Sequence, residues 1–281
     1  MSKEEPARHE ETTYSSYRHP GLTAVLKSVL LLIWVASDII VSQLVVGYLM
    51  LWILGKETFV QVVPTAIYSA LSYTVALVWL LFATPKILNH FKTTTRKGNT
   101  GKSIGKKAAV RTMSRVDLGL KSVPTWTDIG LAPIGFIAAT LLAAVLVAIF
   151  NMFPWFDANQ VQDVGFGPYL VGADRTIAFI ALVIIAPIAE EMIFRGWLYN
   201  KLRNLFSTQL ADIWSMVISI FLVSLLFGVV HMQWNVGVNV FALSVVLCGM
   251  REITGTIYAG ILTHMIKNGV AFYLLYVIGI G

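Results

Sequence analysis

Long apolar stretches are the feature of this sequence that most constrains its fold. A stretch of about 18 or more predominantly apolar residues can cross a bilayer as a helix. Seven stretches approach or exceed that length, near 24–54, 64–83, 129–152, 176–194, 213–231, 236–250 and 256–278. Charged residues make up only 13% of the 281-residue chain, too few to cover a water-facing surface. The sequence therefore predicts an all-α, polytopic membrane helical bundle of seven transmembrane helices, or eight if the long first stretch is divided.

Basic residues are concentrated in the connection between Pro85 and Asp128, which holds ten lysines and arginines against two aspartates. A basic connection between apolar spans is typical of a cytoplasmic loop and can bind anionic lipid headgroups. It lacks the interleaved aromatic residues of a nucleic-acid-binding segment, so we expect membrane lipids and no nucleic acid as partners. The connection from Pro154 to Arg175 has three aspartates and one arginine, which indicates the outer side.

The chain divides into three parts. Residues 1–22 are polar and mixed in charge, and they are predicted to form a cytoplasmic tail. Residues 23–128 hold the N-terminal transmembrane helices and the basic loop, and residues 129–281 hold a core that is rich in polar residues inside apolar spans. The single cysteine, Cys248, excludes disulfide frameworks and zinc fingers.

Ionisable side chains inside apolar spans are functional candidates, because burying them in a bilayer is unfavourable. Asp38 stands alone in the first span, where a helix-packing carboxylate is the plainer interpretation. In the fourth span, Glu191 and Arg195 are four residues apart, so they share a helix face and can form an ion pair. Glu190 points about 100° away from Glu191 and is free to act as a base. The alternative is an ion pair at the membrane edge with a solvated Glu190.

Two histidines lie in the later spans. Phe227 and His231 are four residues apart, as are His264 and Asn268, so each pair shares a helix face. A buried histidine is usually only a hydrogen-bonded core residue, and that interpretation stays open for each one. Together with Glu190, however, these residues supply a base, a second proton carrier and two donors able to hold an oxyanion.

These patterns occur together in a known family. They follow one another along the chain on apolar spans as Glu190-Glu191-x-x-x-Arg195, Phe227-x-x-x-His231 and His264-x-x-x-Asn268. In this order they resemble the three motifs of the CaaX protease and bacteriocin-processing (CPBP) family of intramembrane endopeptidases. The stretch from Leu118 to Leu131 is similar to the family's lead-in to its core. The resemblance covers roughly residues 115–275, and the first hundred residues carry no family signature.

The resemblance implies a helical fold with an active-site cavity reached from the cytoplasmic side, and hydrolysis of peptide bonds in a membrane-associated or small peptide or protein substrate. Glu190 with His231 would activate the attacking water, and His264 with Asn268 would stabilise the oxyanion. The residues expected to shape the site around them are Glu191, Arg195 and Phe227. The expected location is a bacterial plasma membrane, where the substrates would be small peptide precursors.

The family has been described both as metal-dependent and as glutamate-dependent. The sequence has no HExxH pattern, although Glu190, His231 and His264 together could ligate zinc. We expect a mechanism without a cofactor, because Glu190 and His231 can position the water unaided, and a zinc enzyme is the alternative.

Two other functions stay open. In a proton- or ion-coupled transporter, Glu190, His231 and His264 would line the ion path. In a bacteriocin-immunity protein of the same fold, the chain would bind a peptide without cutting it.

The predicted spans also contain a conflict. They place Glu190 near the inner end of the fourth helix and His231 near the outer end of the fifth, about 20 Å or more apart. Catalysis requires these residues to be neighbours, so either 195–212 forms a separate helix or a span boundary is wrong.

Overall fold

The computed structural model describes residues 21–87, 113–121, 123–157 and 170–279. These residues form eight helices and no β-strand, which confirms the predicted all-α class. The helices are α1 (Leu22–Leu54), α2 (Lys56–Phe59), α3 (Val62–Ile87), α4 (Trp126–Phe150), α5 (Gly172–Ser207), α6 (Asp212–Val229), α7 (Trp234–Thr254) and α8 (Tyr258–Ile278). All except the four-residue α2 are long and apolar enough to span a membrane, so the protein is a multi-pass membrane protein.

Several predicted segments lie outside the described residues. They are the N-terminal tail up to residue 20, the basic connection from 88 to 112, and residues 158–169 of the acidic connection. The sides of the membrane assigned to these segments, and the boundaries of the three predicted parts, stay predictions.

The predicted boundaries of the fourth and sixth spans are wrong. The fourth span, predicted over 176–194, belongs to the 36-residue helix α5, which continues to Ser207. Polar residues after Arg195 lower the hydropathy of this stretch and conceal the continuation. The sixth span, predicted over 236–250, is the full-length 21-residue helix α7, and the long first helix is not divided.

The extra turns of α5 resolve the conflict between Glu190 and His231. A short turn joins Ser207, where α5 ends, to Asp212, where α6 begins. Glu190 lies 17 residues before Ser207, and His231 lies 19 residues after Asp212. At about 1.5 Å per residue, both residues are roughly 26–28 Å from that turn. They therefore lie at similar heights, and residues 195–207 do not form a separate helix.

Side-chain hydrogen bonds attach α4 to α8. The Thr125 hydroxyl and the Asp128 carboxylate form a reciprocal capping box at the start of α4. Asp128 also accepts a hydrogen bond from the Thr256 hydroxyl at 3.0 Å, in the turn before α8. One residue before His264, the Thr263 hydroxyl donates to a backbone carbonyl of α4 at 3.1 Å. These bonds fix the helix that carries the third motif.

The segment 113–121, which contains the start of the lead-in motif, packs on α5. The Asp117 carbonyl accepts hydrogen bonds from Asn200 at 3.0 Å and from Arg251 at 3.2 Å. The Leu118 carbonyl lies so close to Gly196 that a Cβ on this glycine would come within 3.1 Å of it. The glycine therefore allows the segment to lie directly on the helix that carries the first motif.

The helix α3 packs against both α1 and α5. The Trp34 indole of α1 donates a hydrogen bond to the Thr84 hydroxyl of α3 at 3.3 Å. Buried side chains of α1, α3, α5 and α6 form one hydrophobic cluster, which includes Leu80, Phe194 and Phe227. This packing brings α3 alongside the part of α5 that carries the paired glutamates.

Candidate active site

The helix that carries the first motif departs from α-helical geometry just before it. Ile180–Ile185 is a π-helical turn, in which backbone N–H groups bond to carbonyls five residues earlier. The next bond in this register would join Pro187 to Leu182, but proline has no N–H. The Asn268 side chain of α8 supplies a donor instead, because its Nδ2 donates to the Leu182 carbonyl at 3.0 Å. The third motif is thereby attached to the helix of the first.

Glu191 is the centre of a buried ionic network. Its Oε1 lies 2.8 Å from Arg195 Nη1 and 2.9 Å from His264 Nδ1. A carboxylate only accepts hydrogen bonds, so both partners donate to it. The ion pair expected between Glu191 and Arg195 is present, and His264 is a second partner that the sequence did not indicate. The Arg195 guanidinium also lies 4.5 Å from the centre of the Phe227 ring, within cation–π distance.

His264 lies between the two adjacent glutamates. Because its Nδ1–H donates to Glu191, the remaining nitrogen Nε2 faces Glu190, with Nε2 and Oε2 3.7 Å apart. This distance is too long for a hydrogen bond but short enough for an electrostatic contact. Glu191 therefore fixes the orientation of the imidazole, as the acidic residue does in a catalytic triad.

Glu190 is nearly buried, with 7% of its surface exposed. Besides His264, two side chains interact with its carboxylate. The Tyr73 hydroxyl of α3 and the Lys267 ammonium of α8 both interact with it electrostatically. The two glutamates thus share His264 and otherwise differ in their partners.

Phe227 connects the second motif to the rest of the site. Its ring centre lies 4.9 Å from that of His231 and 5.9 Å from that of His264. His231 Nδ1 lies 2.7 Å from the Phe227 carbonyl, which can only accept, so Nδ1 carries a proton and Nε2 is the free nitrogen. His231 follows the end of α6, where burial lowers the pKa of its imidazole, so the ring is neutral near pH 7. Its Nε2 can therefore accept a hydrogen bond.

The three residues that could ligate zinc are not grouped as a metal site. In the described part of the chain, no three His, Cys, Asp or Glu side chains are grouped so as to hold a metal ion. The Nδ1 atoms of His231 and His264 are engaged with other partners, which leaves the Nε2 atom of each histidine available to a water or a metal.

An apolar cavity of about 690 Å³ lies beside the second motif. Gly228, in the last turn of α6, and Met232, the neighbour of His231, are part of its wall. Its aromatic lining consists of Phe150, Trp155, Phe221, Trp234 and Phe241. A cavity of this size and composition can hold a large apolar group.

Residues 172–270 match the family model of the type II CAAX prenyl endopeptidase Rce1-like proteins. The matched segment extends from the start of α5 into α8 and contains all seven predicted site residues, and the match confirms the resemblance that the three motifs indicated. At the level of the family, the match supports a CAAX-type intramembrane protease. No curated protein and no solved structure matches the chain significantly.

Two neighbours of Glu190 have no role that the sequence alone indicates. Lys267 is an ionisable residue in the last span, but its position three residues after His264 does not show that it interacts with Glu190. Tyr73 lies in a run of three hydroxyl residues, 72–74, inside an apolar span. That run is the available signal, although nothing in it identifies a partner on a helix more than a hundred residues away.

Proposed function

We propose that this protein is an intramembrane endopeptidase that hydrolyses a peptide bond with a water activated by Glu190 and His231. The observation that carries this proposal is the convergence of two carboxylates and two histidines, from three parts of the chain, around the buried Phe227 ring. The family match over the same segment supports peptide hydrolysis as the reaction.

The proposed chemistry begins with the water. Glu190 accepts one of its protons, while the free Nε2 of His231 accepts a hydrogen bond from the other and orients the oxygen. The resulting hydroxide adds to the carbonyl carbon of the scissile bond. When the tetrahedral intermediate collapses, the carbon–nitrogen bond breaks and the leaving nitrogen takes the proton from Glu190.

The oxyanion formed in this addition needs hydrogen-bond donors. His264 donates its Nδ1–H to Glu191, so its cationic form has a second N–H, on Nε2, directed into the site. Arg195, bound to the same Glu191 oxygen, keeps this carboxylate in place. Asn268 has two N–H bonds on Nδ2, and one of them is used by the Leu182 carbonyl. We assign the second to the oxyanion.

The apolar cavity beside His231 supports a substrate with a large apolar part. The matching family is described as a prenyl endopeptidase of CAAX substrates, in which a cysteine near the C-terminus carries an isoprenoid. A small peptide precursor in a bacterial plasma membrane is the other substrate we consider. In both substrates, an apolar group lies next to the peptide bond that is cleaved.

Cleavage by purified protein in liposomes tests the proposal. The probes are a fluorogenic peptide ending in a farnesylated C-a-a-X sequence, the same peptide without the lipid, and a panel of unmodified apolar peptides. Mass spectrometry of the products identifies the new termini. We expect wild type to cut at least one probe and Glu190→Ala to cut none, with Lys56→Ala, in the short helix α2, as an active control.

The same experiment distinguishes the two other functions. A non-catalytic immunity protein would retain a peptide on both wild type and Glu190→Ala without releasing fragments. A transporter would move protons or ions across the liposome membrane and leave every peptide intact. Either result would contradict the proposed hydrolysis.

A further inference from the structure

The Arg195 guanidinium is buried with few hydrogen bonds. Only 1% of its surface is exposed, and its Nη1 atom donates to Glu191 Oε1 at 2.8 Å. Its Nε and Nη2 atoms have no hydrogen-bond partner among the described residues. A guanidinium has five N–H donors, and a buried cation that leaves several of them unused needs another favourable contact. A contact other than a hydrogen bond must therefore help to fix this side chain.

The face of the Phe227 ring supplies such a contact. The Arg195 Cζ atom lies over this face, 4.5 Å from the ring centre, and an aromatic face carries partial negative charge. The Phe227 ring is fully buried, and the Phe194 ring lies nearly perpendicular to it, with 4.8 Å between the two ring centres. Packing thus holds the ring, and the ring attracts the cation where water is excluded and a cation–π contact is strongest.

The position of Arg195 matters for the reaction because Glu191 uses one oxygen for two donors. Its Oε1 lies 2.8 Å from Arg195 Nη1 and 2.9 Å from His264 Nδ1, and its Oε2 has no partner among the described residues. A shift of the guanidinium would therefore move the oxygen that orients His264. The other imidazole nitrogen, Nε2, lies 3.7 Å from Glu190 Oε2, so such a shift would reach the reacting groups.

We propose that Phe227 is a positioning residue for the reaction, in that the face of its ring holds the Arg195 cation in place, and with it the Glu191 oxygen that orients the imidazole. This inference rests on the proposed function. The ring then acts through its charge distribution as well as its shape. A side chain of the same size with a less negative face would fill the same space without holding the cation.

The experiment changes the charge of the ring face and keeps the size of the ring nearly constant. Phenylalanines with one, two or three fluorines are incorporated at position 227 of the full chain, because each fluorine withdraws electron density from the face and weakens its attraction for a cation. The readouts are kcat and KM in liposomes for the best-cleaved probe, the farnesylated C-a-a-X peptide or an unmodified one.

The same fluorinated series at Phe206 is the control. This ring belongs to the same hydrophobic cluster and is only 3% exposed. It lies eleven residues beyond Arg195 on α5, roughly 16 Å along the helix. Fluorination there changes a buried ring of the cluster but leaves the face below the guanidinium as it is.

We expect kcat to fall stepwise with the number of fluorines at position 227, to roughly a tenth of the wild-type value with three, while KM stays within about twofold. Loss of a desolvated cation–π contact has an effect of about this size, and a change confined to kcat indicates an interaction that matters in the transition state. The series at position 206 should stay within about twofold of wild type in both quantities.

Thermal unfolding in detergent tests the contact itself without relying on cleavage. The trifluorinated ring at position 227 should lower the unfolding midpoint by a few degrees in the wild-type background. In an Arg195→Met background it should leave the midpoint unchanged, because no guanidinium then faces the ring. Equal changes in the two backgrounds would show that the ring and the guanidinium do not interact.

Each other outcome overturns the proposal. If every variant at position 227 cleaves as fast as wild type, the ring has no positioning role through Arg195, and the proposed peptidase function is unaffected. If the series at 227 and 206 lower kcat equally, the effect is one of packing. If wild type cleaves no probe, the peptidase function fails, and the role of Phe227 in the reaction fails with it.

Discussion

Two buried carboxylates, one in each half of the chain, differ in what surrounds them. Asp38 in α1 is 8% exposed, and its Oδ2 has no hydrogen-bond partner among the described residues. Glu191 in α5 is fully buried and its Oε2 also has no hydrogen-bond partner among the described residues, but its Oε1 accepts hydrogen bonds from Arg195 and His264. A buried charge is tolerated in a membrane protein when opposite charges and donors compensate it. A connected network of ionisable groups therefore indicates the candidate site better than a single buried carboxylate does.

The largest expected difference between the two halves is in cleavage. Glu190→Gln and His231→Ala should each lower kcat by about a hundredfold or more, because a general base contributes at least that much. Asp38→Asn should leave kcat within about twofold of wild type. The measurement is cleavage of the liposome probes, with membrane insertion of each variant checked separately. If Glu190→Gln and Asp38→Asn cleave equally fast, the contrast between the two halves is wrong.

The next effect concerns Asn268, which has both a structural bond and a proposed catalytic one. Asn268→Ala should lower kcat by about a hundredfold with little change in KM, as loss of an oxyanion donor does. In a Pro187→Ala background, the new backbone N–H can bond to the Leu182 carbonyl and replace the structural bond. We expect Asn268→Ala to lower kcat as much in the Pro187→Ala background as in the wild-type background. Recovery of activity in the double variant would assign Asn268 a purely structural role.

A smaller effect is expected on stability, within the network itself. Glu191→Gln or Arg195→Met should each lower the free energy of unfolding by about 3–5 kcal/mol, because each leaves one buried charge without its partner. The double variant should recover part of this loss, since neither charge is then left unpaired. Thermal and denaturant unfolding in detergent measure both quantities. Strictly additive losses would contradict a direct interaction between the two side chains.

The smallest effect should come from removing the isolated carboxylate. Asp38→Leu eliminates a buried polar atom without a partner, so the unfolding midpoint should stay unchanged or rise by a few degrees. The comparison is made with Glu191→Gln in the same detergent. A loss at Asp38 as large as that at Glu191 would show that α1 also contains a stabilising polar contact.

The seven helices and the three motifs could be predicted from the sequence because both are local patterns. Hydropathy could not give the end of α5, because polar residues after Arg195 interrupt the apolar run although the helix continues to Ser207. The contact of His264 with Glu191 joins residues 73 positions apart. Tyr73 and Glu190, which interact electrostatically, lie still farther apart in the sequence. Periodicity within one helix carries no information about such partners. The Asn268–Leu182 bond depends on a π-helical register that no residue pattern specified.

The activity of metal-depleted protein is the most direct test of the proposed mechanism. Wild type and Glu190→Gln are treated with a strong chelator, their bound metal is quantified, and cleavage of the best probe is measured in liposomes. We expect wild type to keep its kcat after chelation with no stoichiometric metal bound, and Glu190→Gln to be inactive before and after, because Glu190 and His231 hold the water unaided. Loss of activity on chelation, restored by zinc and accompanied by one bound zinc per chain that His231→Ala fails to retain, would contradict the mechanism.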